Sequence, residues 1–586
     1  MINKERLKIF KINFFKIVLI AILFLLIGLI INFYFILQIP EPQFFIIFDY
    51  GSPLKIEREP LIIQFAKYLI SFFSGDWLNS DTIFGNSTVF DLLRSSVPRM
   101  VEIMIIPLVF GFILGKLLKR VLSRKDHNRL KKIFVILGGI GVSAPIFWLG
   151  YFLQKSFIGI LPVNEWDSHT PPLVTGFLLL DSMIAGDWVL SLQFFMSMIL
   201  PILFLTILIT ALTAKKITPK ISNSSQNDSI ISNSLQTGMI FSLILTIYIL
   251  IDLTFVLRGF SETLFTALIN LDFYLLQGCM FIIIIFFVIS TFISNLYFIL
   301  KRSPGLNPTT DHQAKEVEEE ISRNMKEEVT DLKKDILARL KSPFSIVGAS
   351  IVVFLIIIAL IPQLITPYAL SDITPPNFGD DRYAPPSPEH PLGTAYYGYD
   401  LLALVIWGIR DLLASGGWII VIGLMGGLPF GFLAGKFNRS DKQIILFVMS
   451  LFFIFPSIVI TALMLMISEL NHSVLVFIIG ILLIPIFTRK IAKTKPKFIH
   501  ILKELINYFP FVLIIANLLY TSAGFLGFTE SIAPQLGYTI HRVHFGGYRY
   551  LDRFPAVFWS GLAIFTLNIG LLLLYVGLNS SSRKTK

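Results

Sequence analysis

A single cysteine, Cys279, stands in 586 residues, so the chain can close no internal disulfide and offers no cysteine-based metal site. Its eight histidines are scattered over loops without HExxH or other ligand spacing; they read as ordinary solvated or interfacial residues, and no metal is expected. There is no GxxxxGKS/T phosphate loop, no GxSxG elbow and no pair of carboxylates in a soluble cleft, which argues against an ATPase or another enzyme and for no cofactor in this chain. Charge is scarce too. Only 15% of residues are charged against 54% hydrophobic, and mean hydropathy is +0.74; a soluble surface of this size could not accommodate that balance. The net charge of +11 does not point to nucleic acid, because Lys and Arg cluster at the ends of apolar segments, where they act as topology signals.

What the sequence has in abundance is apolar runs. A bilayer crossing needs about 20 apolar residues as a helix, and twelve stretches qualify. Six lie near 14–38, 97–118, 133–158, 189–213, 238–258 and 274–300; six more lie near 344–366, 413–435, 443–467, 473–488, 507–527 and 555–577. The run from Ile17 to Leu37 is too long for a typical cleavable signal and no small-residue cleavage site follows it, so it is expected to remain as an anchor. With twelve alternating helices the basic loops, among them Lys116 to Lys132, Lys301 to Lys341 and Arg489 to Lys503, fall on one side. Both termini are then expected to be cytoplasmic. The acidic stretch from Asn164 to Asp187 falls on the other side.

The chain also repeats itself. Gly111 to Lys116 reads GFILGK and Gly431 to Lys436 reads GFLAGK, each closing an apolar segment and opening a basic loop. Each is followed by an apolar segment interrupted by proline, at Pro145 and Pro456. A period of that length is too long for a solenoid and suggests two homologous domains in one polypeptide, 1–300 and 343–586. Between them, 301–342 starts as a Pro/Gly/Ser/Asn hinge and continues as a charged segment. Its apolar residues Val317, Ile321, Met325, Val329, Leu332, Ile336 and Leu340 share one helical stripe. A cytoplasmic linker helix is expected there, tethering the halves.

Nearly the whole chain resembles a known family. Ile83 to Glu102, IFGNSTVFDLLRSSVPRMVE, Gly141 to Gly150, GVSAPIFWLG, and Gly159 to Val163, GILPV, resemble segments of the inner-membrane permease of dipeptide/oligopeptide ABC importers. Ala384 to Arg410, APPSPEHPLGTAYYGYDLLALVIWGIR, resembles the PSPEHPLGTDxLGRDVLSRVIYGAR string of its partner permease. The resemblance implies two six-helix permease domains fused in one chain, all-α, with about twelve transmembrane helices around a central path. It also implies a role in importing peptides or similar small solutes by alternating access, with separate cytoplasmic ATPase subunits that bind the ATP and an extracytoplasmic solute-binding protein as partners.

One departure bears on mechanism. The family's cytoplasmic EAA loop, whose short helix docks on the ATPase, should lie at 215–237 in the first half and 489–509 in the second, yet neither interval carries EAA…G. Both coupling helices read as lost or shortened, with Arg489, Lys490, Ile499, Leu502 and Leu505 as a remnant that could still contact an ATPase. The alternatives are a degenerate permease-like receptor or scaffold, or an ATP-independent transporter.

Residues at membrane depth complete the candidate set. Gly111, Gly115, Gly431 and Gly435 are expected to let helices approach closely. Pro145 and Pro456 are expected to kink helices, as a gate or as a structural bend. Glu102 and Asp252 either line the path or form structural bonds, with Arg99 or Arg258 as possible partners.

Overall fold

Ten helices among the described residues are long and apolar enough to cross a bilayer, and the protein is an all-α integral membrane protein. The computed structural model describes residues 2–38, 60–74, 88–123, 143–157, 171–214, 230–270, 272–301, 325–370, 382–437, 439–467, 471–492, 498–529, 534–545 and 553–580. The first half runs α1 (Ile2–Gln38), α2 (Leu61–Ser74), α3 (Val89–Ser123), α4 (Ile146–Ser156), α5 (Leu178–Ile184), α6 (Trp188–Ala214), α7 (Ile230–Phe255), α8 (Phe260–Ile269) and α9 (Phe273–Lys301). After α10 (Met325–Leu340) the second half runs α11 (Pro343–Leu360), α12 (Leu401–Lys436), α13 (Arg439–Leu451), α14 (Ser457–Ile467), α15 (His472–Ile491), α16 (Phe498–Phe525), α17 (Leu536–His544) and α18 (Phe554–Ser580). Helix is what lipid demands, because every backbone donor then finds its acceptor within the segment.

The packing partners occur twice in the same order. In the first half α1 packs on α9, α3 on α6, α4 on α7, α7 on α9, and α8 on both α7 and α9. In the second half α11 packs on α18, α12 on α15, α14 on α16, α16 on α18, and α17 on both α16 and α18. The closest approaches correspond as well. A Cβ on Gly111 would lie 2.8 Å from Ile209 Cβ and 3.1 Å from the Thr206 carbonyl; one on Gly431 would lie 2.6 Å from Ile491 Cβ and 3.2 Å from the Thr488 carbonyl. Small residues let these backbones meet where side chains could not. Gly115 is equally tight, with Thr213 Cβ at 2.5 Å, whereas a Cβ on Gly435 would meet nothing within 4 Å among the described residues. Its expected role is therefore corrected. Gly423 and Gly427, about three and two turns earlier on α12, do pack closely against α15, at Leu483 and Phe487.

The expected third span of the second half is also corrected. Instead of one helix over 443–467, α13 ends at Leu451 and α14 begins at Ser457, with a turn between them that ends in Pro456. Proline lacks the N–H a continuing helix would use and turns the preceding residue away from helical geometry. The Pro456 carbonyl accepts from Val459 and Ile460, opening the new helix. Pro145 does the same for α4: it sits at φ −60°, ψ 127° ahead of Ile146, and its carbonyl accepts from Leu149 at 3.0 Å. Both prolines start helices rather than kink them. Residues 133–142 of the first-half counterpart lie outside the described residues.

The halves meet along these broken segments. Helices α13 and α14 pack on α7, α14 also on α8, and α4 on α18. Phe147 of α4 stacks on Phe525 of α16 with ring centroids 4.6 Å apart, and Phe24 of α1 on Phe447 of α13 at 5.2 Å. Helix α10 docks on the second half: Leu332 is buried, and buried Arg339 donates to the Leu578 carbonyl in the last turn of α18 at 3.0 Å. That bond satisfies a carbonyl left orphaned at a helix C-terminus. Of the expected apolar stripe, Val317 and Ile321 lie outside the described residues, and Leu340 is exposed.

Candidate functional site

The two intramembrane carboxylates share a structural task. Glu102, on α3, accepts the N–H groups of Leu178 (3.1 Å) and Leu179 (3.0 Å), the first residues of α5. Asp252, near the end of α7, accepts from Ser261 N–H (2.8 Å), Gly259 N–H (3.3 Å) and the Tyr248 hydroxyl (3.1 Å), and so holds the start of α8. Short helices begin with unpaired N–H groups, and a carboxylate from a neighbouring span satisfies them inside the bundle. The basic residues do not pair with these carboxylates directly: Arg99 Nη1 donates to the Arg258 carbonyl at 2.9 Å. Within α5, Asp181 gathers Thr175 N–H and hydroxyl (both 2.7 Å), Gly176 N–H (2.9 Å) and Val174 N–H (3.3 Å) from the preceding loop. Burial pushes its carboxyl up, but these four donors prevail and hold it below the ordinary carboxylate range.

Where the halves meet, a small apolar cavity has walls from both. Leu253 of α7 and Phe265 of α8 face Ile458 and Val459 of α14, with Leu526 and Phe528 beyond α16. It has room for about one water molecule, so the seam is closed here by apolar side chains. Aromatic rings close its rim, Phe265 lying 5.9 Å from both Phe528 and Phe545. His544 Nε2 of α17 lies 3.2 Å from the Leu253 carbonyl, tying the second half to the cavity wall of the first.

Polar residues that the sequence reading passed over run behind this seam. Asp411 accepts the Tyr520 hydroxyl at 2.7 Å and the Ser415 hydroxyl at 3.4 Å, and His472 Nε2 lies 3.9 Å from it. One turn along α16 from Tyr520, Asn517 Nδ2 donates to Asn568 Oδ1 (3.1 Å), and Asn568 Nδ2 donates to the Ser143 carbonyl (3.1 Å) in the other half. The signal was present: asparagines and an aspartate inside apolar runs are costly and demand partners. Asp411 escaped notice because α12 begins twelve residues before the expected span at 413–435.

The idiosyncratic segment before α12 folds as a cap. Asp400 Oδ1 accepts from Ala403 N–H at 2.6 Å, its Oδ2 lies 3.0 Å from His390 Nδ1, and Trp407 Nε1 donates to the Tyr368 carbonyl at 3.2 Å. On the face that carries the basic helix ends, the remnant residues separate. Arg489 turns to the first half, donating to Gln236 Oε1 at 2.9 Å, and Lys490 pairs with Glu504 at 2.7 Å. Ile499 and Leu505 are half-buried, and Leu502 is exposed. The interval at 215–229 lies outside the described residues.

No protein-family model matches the chain. It is similar to the probable D,D-dipeptide transport system permease protein DdpB of Escherichia coli K12, 32% identical over 171 residues, 27% of this chain and 48% of that protein. It is also similar to two proteins of Alkalihalophilus pseudofirmus. These are the dipeptide transport system permease protein DppC, 29% identical over 25% of this chain and 48% of the relative, and the dipeptide transport system permease protein DppB, 27% identical over 31% and 59%. The chain spans about half the length of the curated relatives it matches. It is a multi-pass membrane protein whose curated relatives are transport permeases.

Proposed function

We propose that the chain is the membrane permease of an ABC-type importer for peptides or similar small solutes, with two permease units, 1–300 and 343–586, joined by the 301–342 linker. The observation that carries this reading is the packing scheme that occurs twice and meets along one closed apolar seam. Similarity to both DppB and DppC of one organism supports the pairing. In this reading the solute path runs along the seam, the basic face is cytoplasmic, and separate ATPase subunits drive opening while an extracytoplasmic binding protein delivers solute. The protein sits in the plasma membrane. Arg489, Lys490, Ile499, Leu502 and Leu505 lie where an ATPase would engage. Leu502 is exposed for such a contact, while Arg489 serves the half-to-half contact instead. The seam gates by separation of Leu253 and Phe265 from Ile458 and Phe528, since two discrete arrangements of packed side chains are what alternating access requires.

The test is affinity purification of the full chain from its native membrane, with protein identification and an ATPase assay on the eluate. Recovery of an ABC ATPase whose turnover rises with a binding protein is the expected result. Recovery of the intact chain without an ATPase overturns the proposal.

A further inference from the structure

Lys503 and Glu504 are neighbours on α16, Arg489 and Lys490 are neighbours on α15, and the four reach in different directions. Lys503 Nζ lies 2.7 Å from Asp335 of α10. Glu504 and Lys490 meet at 2.7 Å. Arg489 donates to Gln236 of α7 at 2.9 Å, and its other amine lies 3.2 Å from Met239 Sδ. Successive residues on a helix point about 100° apart, which is why Lys503 faces α10 while Glu504 faces α15. Asp335–Lys503, Glu504–Lys490 and Arg489–Gln236 therefore form three contacts in series across the basic face. They lead from the linker helix through the second half to the first.

The outermost members, Asp335 and Arg489, are better anchored than the residues between them. At one end Asp335 is also held by Arg339, at 2.8 and 2.9 Å, and Arg339 is fixed to the Leu578 carbonyl of α18. Burial pushes the Asp335 carboxyl up, but Arg339 and Lys503 prevail and hold it below the ordinary carboxylate range. At the other end Arg489 is half-buried between the halves. Between them the side chains of Lys503, Lys490 and Glu504 are 36%, 35% and 43% exposed, so both ion pairs are weak and screened by salt. A tie whose outer residues are held firmly and whose ion pairs between them are weak is one that a modest competing interaction can release.

We propose that these contacts form a latch on the basic face: with α10 in place, α15 is held against α7 and the halves stay closed at that end. Displacing α10, or competing for Lys490 and Glu504, frees it. The latch would operate whatever the bundle carries, so its failure and that of the permease reading are distinguishable.

The test uses the full chain in lipid nanodiscs with Cys279→Ser, spin-labelled at Ile240→Cys of α7 and His500→Cys of α16, both exposed positions. Distances between the labels are read by double electron–electron resonance. The expected result is a narrow distribution that Lys503→Glu lengthens and broadens, and that Lys503→Arg, which keeps the charge, leaves near the starting distance. A distribution unmoved by Lys503→Glu, or one broadened equally by Lys503→Arg, overturns the latch. Should the reversal fail to fold, raising KCl from about 0.05 to about 0.5 M on the labelled chain alone must broaden the distribution, because the Debye length falls severalfold. An unchanged distribution in that titration also overturns it.

Discussion

Gly431 and Ile491 approach so closely that a methyl group on the glycine would sit 2.6 Å from the isoleucine Cβ. Gly111 and Ile209 stand in the same relation in the other half at 2.8 Å. Neither isoleucine can yield cheaply, since a β-branched chain has little rotamer freedom on a helix. Gly431→Ala and Gly111→Ala should each destabilise the folded protein by about 1–3 kcal/mol through overpacking. Gly435→Ala, in open space, should be neutral or gain up to about 1 kcal/mol from helix propensity. Thermal unfolding in nanodiscs separates the outcomes. Equal effects at 431 and 435 would mean that α12 does not pack on α15 as described.

Glu102 should matter to the order of α5 before anything else. Removing both acceptors with Glu102→Leu leaves the N–H groups of Leu178 and Leu179 unpaired inside the protein, a loss of about 1–3 kcal/mol. Glu102→Gln keeps one carbonyl oxygen and should cost less. Hydrogen exchange at these two amides is the readout, with protection lost most in the leucine variant. Unchanged exchange in both would free Glu102 for a role in the path.

Much of this arrangement could be read from the chain, and the failures share a cause. Of the twelve long apolar runs, ten coincide with the ten spans among the described residues, because lipid leaves the backbone no alternative to helix. The spelling shared by Gly111 to Lys116 and Gly431 to Lys436 located two equivalent packing sites, since only a glycine admits the facing backbone. Sequence could not tell Gly431 from Gly435, because what differs is the presence of α15 opposite one and not the other. It placed Pro456 inside a helix because hydropathy continues through the break while the hydrogen bonds do not. Glu102 and Asp252 were found by their cost in lipid, but their task depended on short helices, α5 and α8, that no periodicity announced. Asn517 and Asn568 were legible as polar residues in apolar spans; that they meet each other and Ser143 is a fact of tertiary packing alone.

Acid should loosen the loop around Asp181. Its folded carboxyl titrates below the ordinary range, despite burial, because four donors favour the charged form. A group depressed in the folded state contributes stability above its unfolded value, near 3.9, and loses it as pH falls through the lower folded value. The stability difference between the unsubstituted chain and Asp181→Asn should therefore be constant from pH 7 to about 5 and shrink below about pH 4. Unfolding curves across that range test it. A difference that grows in acid would contradict the sign.

The asparagine bridge supplies the last prediction. Asn568→Leu removes the acceptor of Asn517 Nδ2 and the donor to the Ser143 carbonyl together, within a fully buried site. Leaving such groups unpaired costs about 1–3 kcal/mol each, whereas replacing both members of a pair by apolar groups can be nearly neutral. Asn568→Leu should thus destabilise strongly, and adding Asn517→Leu should recover part of the loss, because the stranded amide is then gone. The recovery should remain incomplete, since the Ser143 carbonyl has lost its Asn568 donor at the junction of the halves. A double-mutant cycle on thermal unfolding reads the coupling directly. Strict additivity would show that the two side chains do not interact, and would leave the contact of α16 with α18 to packing alone.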